Sequence, residues 1–313
     1  TIFNFLELEF SHKDERFAGG WFKKLRIESE KEARGEIWRS GLSIEEVTLD
    51  QIYNEITKTG ISKELSEKIK KREIELELKY CRKRNYAKEL YELAIYKNKK
   101  IIVTSDMYLP KSVIIRILEK NGYSQISDIF LSADIGLTKS TGNLFKYALK
   151  KLKISPKNFM HIGDNFEADV KSAKKQKIRY HFFFPKASDL LFNKLKDHYG
   201  DSLKGLKEFS GKWINYSYLA EDSLILNCCL GLIANKYFSN PYRSFCICSD
   251  FNSDPLFIGY SALGMHKLAI SLWLIENCRN SSNKKLHFVA RNGFAIQESF
   301  DKLAKLFKLD IES

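Results

Sequence analysis

Ser105 and Asp106 stand side by side behind a β-branched apolar run, Ile101-Ile102-Val103-Thr104. Lys139 lies in the stretch Leu137-Thr138-Lys139-Ser140-Thr141-Gly142. Asp164, in Gly163-Asp164-Asn165, follows another apolar run, and Asp169 comes five residues later. A hydroxyl and an ammonium group can hold phosphoryl oxygens. A pair of carboxylates can hold a hard cation such as Mg2+, which prefers oxygen ligands. Singly, each residue also fits a turn, a helix cap or a solvated loop. Jointly they outline a site for a phosphate and a magnesium ion, provided that the fold brings them to one edge.

An open α/β sheet does this, because ligands bind at the carboxyl ends of its strands. From about residue 100 the pattern alternates in that way. Ile101–Thr104, Ile129–Leu131, Phe159–Ile162 and Arg179–Phe184 read as strands, the first of them as a buried parallel strand. Val113–Lys120, closed by Asn121-Gly122, together with Leu144–Leu152 and Ala168–Lys175, read as the intervening helices. The alternation predicts right-handed βαβ units and a doubly wound parallel sheet over residues 96–187. Residues 1–95 read as helical. Arg26, Glu30 and Arg34 recur at i, i+4 and i+8, as in a solvent-facing row of ion pairs. Ser43 with Glu46 resembles a capping box ahead of a short helix over Leu49–Ile56, and residues 63–96 hold one or two further helices. Beyond Pro185 the chain turns apolar and mostly helical over residues 188–280. Leu286–Ala290 then reads as a last strand, followed by a helix from Phe294.

Composition narrows the classes further. The chain has 313 residues, 44% hydrophobic and 29% charged, which suits one large or two ordinary domains and not a disordered segment. Its net charge of +13 suits an anionic substrate or acidic partner. No basic-aromatic module accompanies that charge, so nucleic-acid binding rests on charge alone. The six cysteines include no paired C-x-x-C, which argues against zinc and for reduced, buried thiols in a cytoplasmic protein. The longest apolar run, Leu256–Ile275, is broken by His266 and Lys267 and reads as a buried helix, not a membrane span. The chain opens on Thr1 without a signal segment and stops at Ser313 directly after an amphipathic pattern, as a fragment of a longer protein does.

Three strings carry a family resemblance: Ile101–Pro110 (IIVTSDMYLP), Gly136–Phe145 (GLTKSTGNLF) and His161–Asp169 (HIGDNFEAD). Their order resembles the haloacid-dehalogenase-like phosphohydrolase superfamily, and so do the intervals of 34 residues from Ser105 to Lys139 and 25 from Lys139 to Asp164. The first two strings resemble a branch found in bacterial proteins of glycosyl transfer and surface-polysaccharide synthesis. Arg26–Arg34 is similar to that branch's helical cap. The resemblance implies a Rossmannoid core over residues 96–187, a helical cap over 1–95 and a mostly helical region over 188–313. It also implies roles. Ser105 would hydrogen-bond a phosphoryl oxygen, and Lys139 would neutralise phosphate and nucleophile. Asp164 would bind Mg2+, Asp169 would support or complete the metal site, and Asp106 would neighbour the substrate. A phosphorylated sugar or related metabolite is the implied substrate, and a glycosyltransferase the implied partner.

One element of the family pattern is absent. Its first motif, D-x-D-x-T at the end of an apolar strand, supplies the nucleophilic Asp and a general acid/base. No D-x-D occurs in the 313 residues. Loss of that strand upstream of Thr1 is favoured over degeneration, since the other motifs are intact. Either way the chain alone is expected not to hydrolyse phosphate esters, and a non-catalytic scaffold partnering a glycosyltransferase is the alternative. His287–Phe294 (HFVARNGF) resembles the opening strand of a second such unit with Asn292 in place of an Asp, and equally fits a buried strand ending in an Asn-Gly turn.

Overall fold

In a computed structural model, residues 2–11, 17, 20–191, 220–243, 254–279, 285–289 and 291–309 are described. The helical periodicity of the first hundred residues becomes α1 (Ile2–Ser11), α2 (Trp21–Ser40), α3 (Leu49–Lys58), α4 (Lys63–Tyr80) and α5 (Asn85–Tyr96). In α3 the apolar residues Leu49, Ile52, Tyr53 and Ile56 share one face and are all buried. The capping box of α3 is formed by Thr48 and Gln51, not by Ser43 and Glu46. Glu46 is instead buried and points at the sheet.

The expected row of ion pairs forms, with Glu30 holding both Arg26 and Arg34, and Arg34 is exposed, but Arg26 is not solvent-facing. Its side chain has 0% exposure. Its Nε and Nη2 donate to Glu73 of α4 at 3.0 and 2.9 Å, and Nη1 donates to Glu30 at 3.3 Å. The Tyr53 hydroxyl donates to the same Glu73 at 2.6 Å. The rings of Phe3, Tyr53 and Tyr108 surround the guanidinium with centroids at 5.0, 5.7 and 4.8 Å. A helical repeat places Arg26, Glu30 and Arg34 on one face. It does not say which of them meets water, as Arg34 does, and which meets the neighbouring helices, as Arg26 does.

The expected α/β alternation follows: β1 (Ile102–Ser105), α6 (Lys111–Lys120), β2 (Asp128–Leu131), the one-turn α7 (Ser132–Ile135), α8 (Asn143–Leu152) and β3 (Met160–Gly163). A π-wound turn, Phe166–Lys171, then runs into Ser172–Lys175 to form α9, and β4 (Tyr180–Phe183) ends the series. The four strands do not join into one sheet. β1 pairs with β2 and β3 with β4, both in parallel. Helix α8 supports both pairs. Leu144 and Ala148 pack with Phe130 of β2, and the Phe145 ring meets the His161 ring of β3 edge-on at 4.8 Å. Ile102 of β1 touches both groups. β1 is half-buried, not buried. The outer face of the β3–β4 pair, with Met160 beside Tyr180 and Ile162 beside Phe182, is exposed.

The contacts divide the chain into Thr1–Tyr242 and Arg243–Ser313. In the first unit α10 (Ala220–Tyr237) packs on α1, and Asn235 accepts two hydrogen bonds from Asn85 at the start of α5. In the second, the continuous helix Pro255–Arg279 (α11) packs on α12 (Asn292–Leu306) around Ile275, Phe300 and Ala304. By length and composition α11 could cross a membrane, and only 11% of its most apolar window is buried, so it is not the buried helix expected. Leu286–Val289 builds no strand ladder, and Asn292-Gly293 opens α12 instead of forming a turn; Ala290 lies outside the described residues. Cys278 is buried and Cys81, Cys228 and Cys229 are half-buried, while Cys246 and Cys248 lie outside the described residues.

Removing one member of a buried ion pair leaves the other uncompensated, at about 3–5 kcal/mol. Arg26→Ala should therefore lower the urea midpoint of unfolding strongly. Replacing Arg26 and Glu73 together by methionine should recover most of that loss.

Candidate functional site

β1 ends at Ser105, and Asp106 follows at once. The Asp106 carboxylate accepts from the backbone N–H of Lys139 at 2.8 Å and of Ser140 at 3.3 Å. It thus fastens the lysine loop to the carboxyl end of β1, and its oxygens face protein amides. The Ser105 hydroxyl, half-buried at the strand end, makes no hydrogen bond with the described residues.

Lys139 extends from that loop toward the end of β3. Its Nζ donates to Asp169 Oδ1 at 2.5 Å, and the Ser172 hydroxyl donates to the Lys139 carbonyl at 2.6 Å. Asp169 is reached by a local device. Asn165 caps α9 by accepting from the N–H groups of Glu167 and Ala168, and its own N–H donates to Asp169 Oδ2 at 2.9 Å. The first turn of α9 is thereby folded back onto β3. Gly163 makes room for it, because a Cβ there would collide with the Asp169 carboxyl group. His161 Nε2 lies 2.9 Å from the same Oδ1 that Lys139 uses.

Asp169 is almost without exposure, and Lys139 nearly so, at 1% and 12%. Burial by itself raises the Asp169 carboxyl. The hydrogen bond from His161, the charge and hydrogen bond of Lys139 and the Asn165 amide outweigh it and hold the pKa well below the usual aspartate range. Asp164 differs in every respect. It sits on the exposed turn after β3 with Lys186 at 4.0 Å and its side chain half in water. The structure thus brings Asp106, Lys139 and Asp169 into one bonded group at a shared rim of β1 and β3. Ser105 and Asp164 flank that group without bonding to it.

Residues outside the three strings complete the arrangement. Glu45 accepts from Thr138 N at 2.8 Å and from Thr141 Oγ1 at 2.6 Å, and the Asn143 amide donates to its other oxygen. These donors outweigh partial burial and keep its pKa low. His161 could have been noticed as an imidazole within an apolar strand. Nothing in the local pattern marks Glu45, since its partners lie more than ninety residues away.

Asp169→Asn would leave Lys139 without its counter-charge and His161 without its carboxylate hydrogen-bond partner, and should lower stability at pH 7. The sign of the pH effect follows from the depressed pKa. The carboxylate contributes above its unfolded value of about 4 and loses that contribution as pH falls toward its folded value. Urea midpoints measured down the pH scale should fall in acid for the wild type and show a flatter acid limb for the variant.

A family model of haloacid dehalogenase-like hydrolases matches residues 20–176. That is just over half of the chain. No curated protein matches it. The matched span runs from the start of α2 to the end of α9 and includes Ser105, Lys139, Asp164 and Asp169. The chain belongs to the haloacid dehalogenase-like hydrolase family.

Proposed function

We propose that the rim of β1 and β3 is the phosphoryl-binding half of a phosphohydrolase site for a phosphate monoester, a phosphorylated sugar or related metabolite. One observation carries this reading. A nearly buried ammonium, Lys139, is fixed at the carboxyl ends of two parallel strands by Asp106 behind it and Asp169 beneath it. In this reading the Ser105 hydroxyl, which has no hydrogen bond with the described residues, donates to one phosphoryl oxygen and Lys139 offsets the negative charge.

A magnesium ion needs several oxygen ligands. Both Asp169 oxygens are already taken by Lys139, His161 and Asn165, and Asp164 is a single exposed carboxylate. Among the described residues no group of three or more His, Cys, Asp or Glu is arranged to hold a metal. The residues present do not make a magnesium site by themselves, so no step is assigned to that ion. The sequence also holds no D-x-D to supply a nucleophile. Among the described residues β1 pairs with β2 alone and β3 with β4 alone. The 313-residue chain in this reading binds the phosphoryl group and does not cleave it, in a cytoplasm where its cysteines stay reduced.

A second reading, a non-catalytic module partnering a glycosyltransferase of polysaccharide synthesis, draws on the exposed apolar face of β3 and β4. A complex with such an enzyme that survives Asp164→Asn would favour it.

Inorganic phosphate should bind the full chain, and Lys139→Ala should abolish the binding, by calorimetric titration. With p-nitrophenyl phosphate and Mg2+ the chain should show no turnover above the protein-free rate. Robust turnover would overturn the binding-only reading.

A further inference from the structure

Glu45 and Glu46 belong to the connection between α2 and α3, far from the strands in sequence. The Glu45 side chain nevertheless ends on the Lys139 loop, and that of Glu46 on Ser132 of α7, which in turn holds the segment after Ser105. Glu45 Oε2 accepts from Thr138 N at 2.8 Å, Thr138 Oγ1 at 3.2 Å and Thr141 Oγ1 at 2.6 Å. Its Oε1 accepts from Asn143, and its backbone N–H donates to Gly136 O at 2.8 Å. These partners bracket Lys139 on both sides. Glu46 Oε2 accepts from Ser132 Oγ at 2.9 Å, and Ser132 Oγ accepts from Met107 N at 2.8 Å, two residues past Ser105. Glu46 Oε1 accepts from Arg34 Nη1 of α2 at 2.5 Å.

We propose that Glu45 and Glu46 are positioning residues of the rim. The helical region, acting through two adjacent carboxylates, sets where the Lys139 loop and the Ser105 loop stand. This rests on the reading that the rim holds a phosphoryl group. Neither glutamate touches that group. The carboxylate of Glu45 is used up by four donors, and that of Glu46 by Ser132, Arg34 and the N–H of Val47.

Electrostatics supplies a discriminating sign. Glu45 is a negative charge close to an anion site. If charge alone mattered, removing it would tighten anion binding. A positioning role predicts the opposite, because Lys139 would lose its fixed place.

The test titrates inorganic phosphate into the full chain and its variants. Glu45→Ala should bind about tenfold more weakly. Glu45→Gln keeps an oxygen for the Thr138 and Thr141 donors and should stay close to wild type. Ser132→Ala, which cuts the link from Glu46 to Met107, should also weaken binding. Hydrogen exchange in Glu45→Ala should speed up at residues 137–143 and stay unchanged in α2 and α4. Should Glu45→Ala fail to fold, the charge-neutral Thr141→Val carries the test, with affinity expected to fall about threefold. Phosphate affinity equal to or above wild type in Glu45→Ala, or unchanged in Thr141→Val, would overturn the positioning role. If Lys139→Ala binds phosphate as wild type does, the reading of the rim itself fails, and the positioning role falls with it.

Discussion

A guanidinium removed from water has to be answered at each of its N–H groups, and Arg26 is the place where this chain meets that demand. Glu73 takes two of its donor nitrogens and Glu30 a third, while three aromatic rings close the remaining space. Burial lowers an arginine's pKa, and here the Glu73 charge more than reverses it. The requirement ties α2 to α4 and, through Tyr53, to α3. It also reaches the sheet, since Tyr108, one of the three rings, belongs to the segment that begins with Ser105. Burial raises the phenol of Tyr108 above its ordinary value, against the opposing pull of the guanidinium. A buried ion pair of this kind is weak evidence for net stability. Its geometric demand, however, leaves the helices few alternative arrangements.

The same logic runs outward along α2. Arg26, Glu30, Arg34 and Glu46 form an alternating series of charges that begins in full burial and ends on Ser132 and the backbone of Met107. Charges that would be worth little on an exposed helix face become directional once one end is buried. Carboxylates recur as latches throughout the rim. Asp106 holds the amides of the lysine loop, Glu45 holds its hydroxyls, and Asp169 holds the ammonium itself. Each is an acceptor-only group set against protein donors, so their shared effect is to fix the loop.

The parallel pairs show what that fixing is for. Parallel sheets are ordinarily covered on both faces. Here Met160, Ile162, Tyr180 and Phe182 remain exposed, and among the described residues each pair has two strands. The two pairs keep a common floor through α8 and a common rim through Lys139. Side-chain packing and one ion pair therefore perform a task that backbone hydrogen bonds perform in a continuous sheet.

Local patterns were sufficient for much of this. The change from helical to strand period near residue 100, the order of elements to β4 and the three strings are readable because each depends on neighbours a few positions away. The capping box stands at Thr48 and not at Ser43, since both offer the same local chemistry and the start of α3 selects between them. No strand forms at Leu286–Val289, because an apolar run suits a strand as well as an extended segment packed on a helix, as Phe288 is on Phe300. The order and type of the residues at the strand ends are written in the chain. That Arg26 is buried, that Asp169 is committed to Lys139 and His161, and that Glu45 reaches the lysine loop follow from the three-dimensional packing. Those outcomes depend on which faces meet across tens of residues, and short-range periodicity carries no information about that.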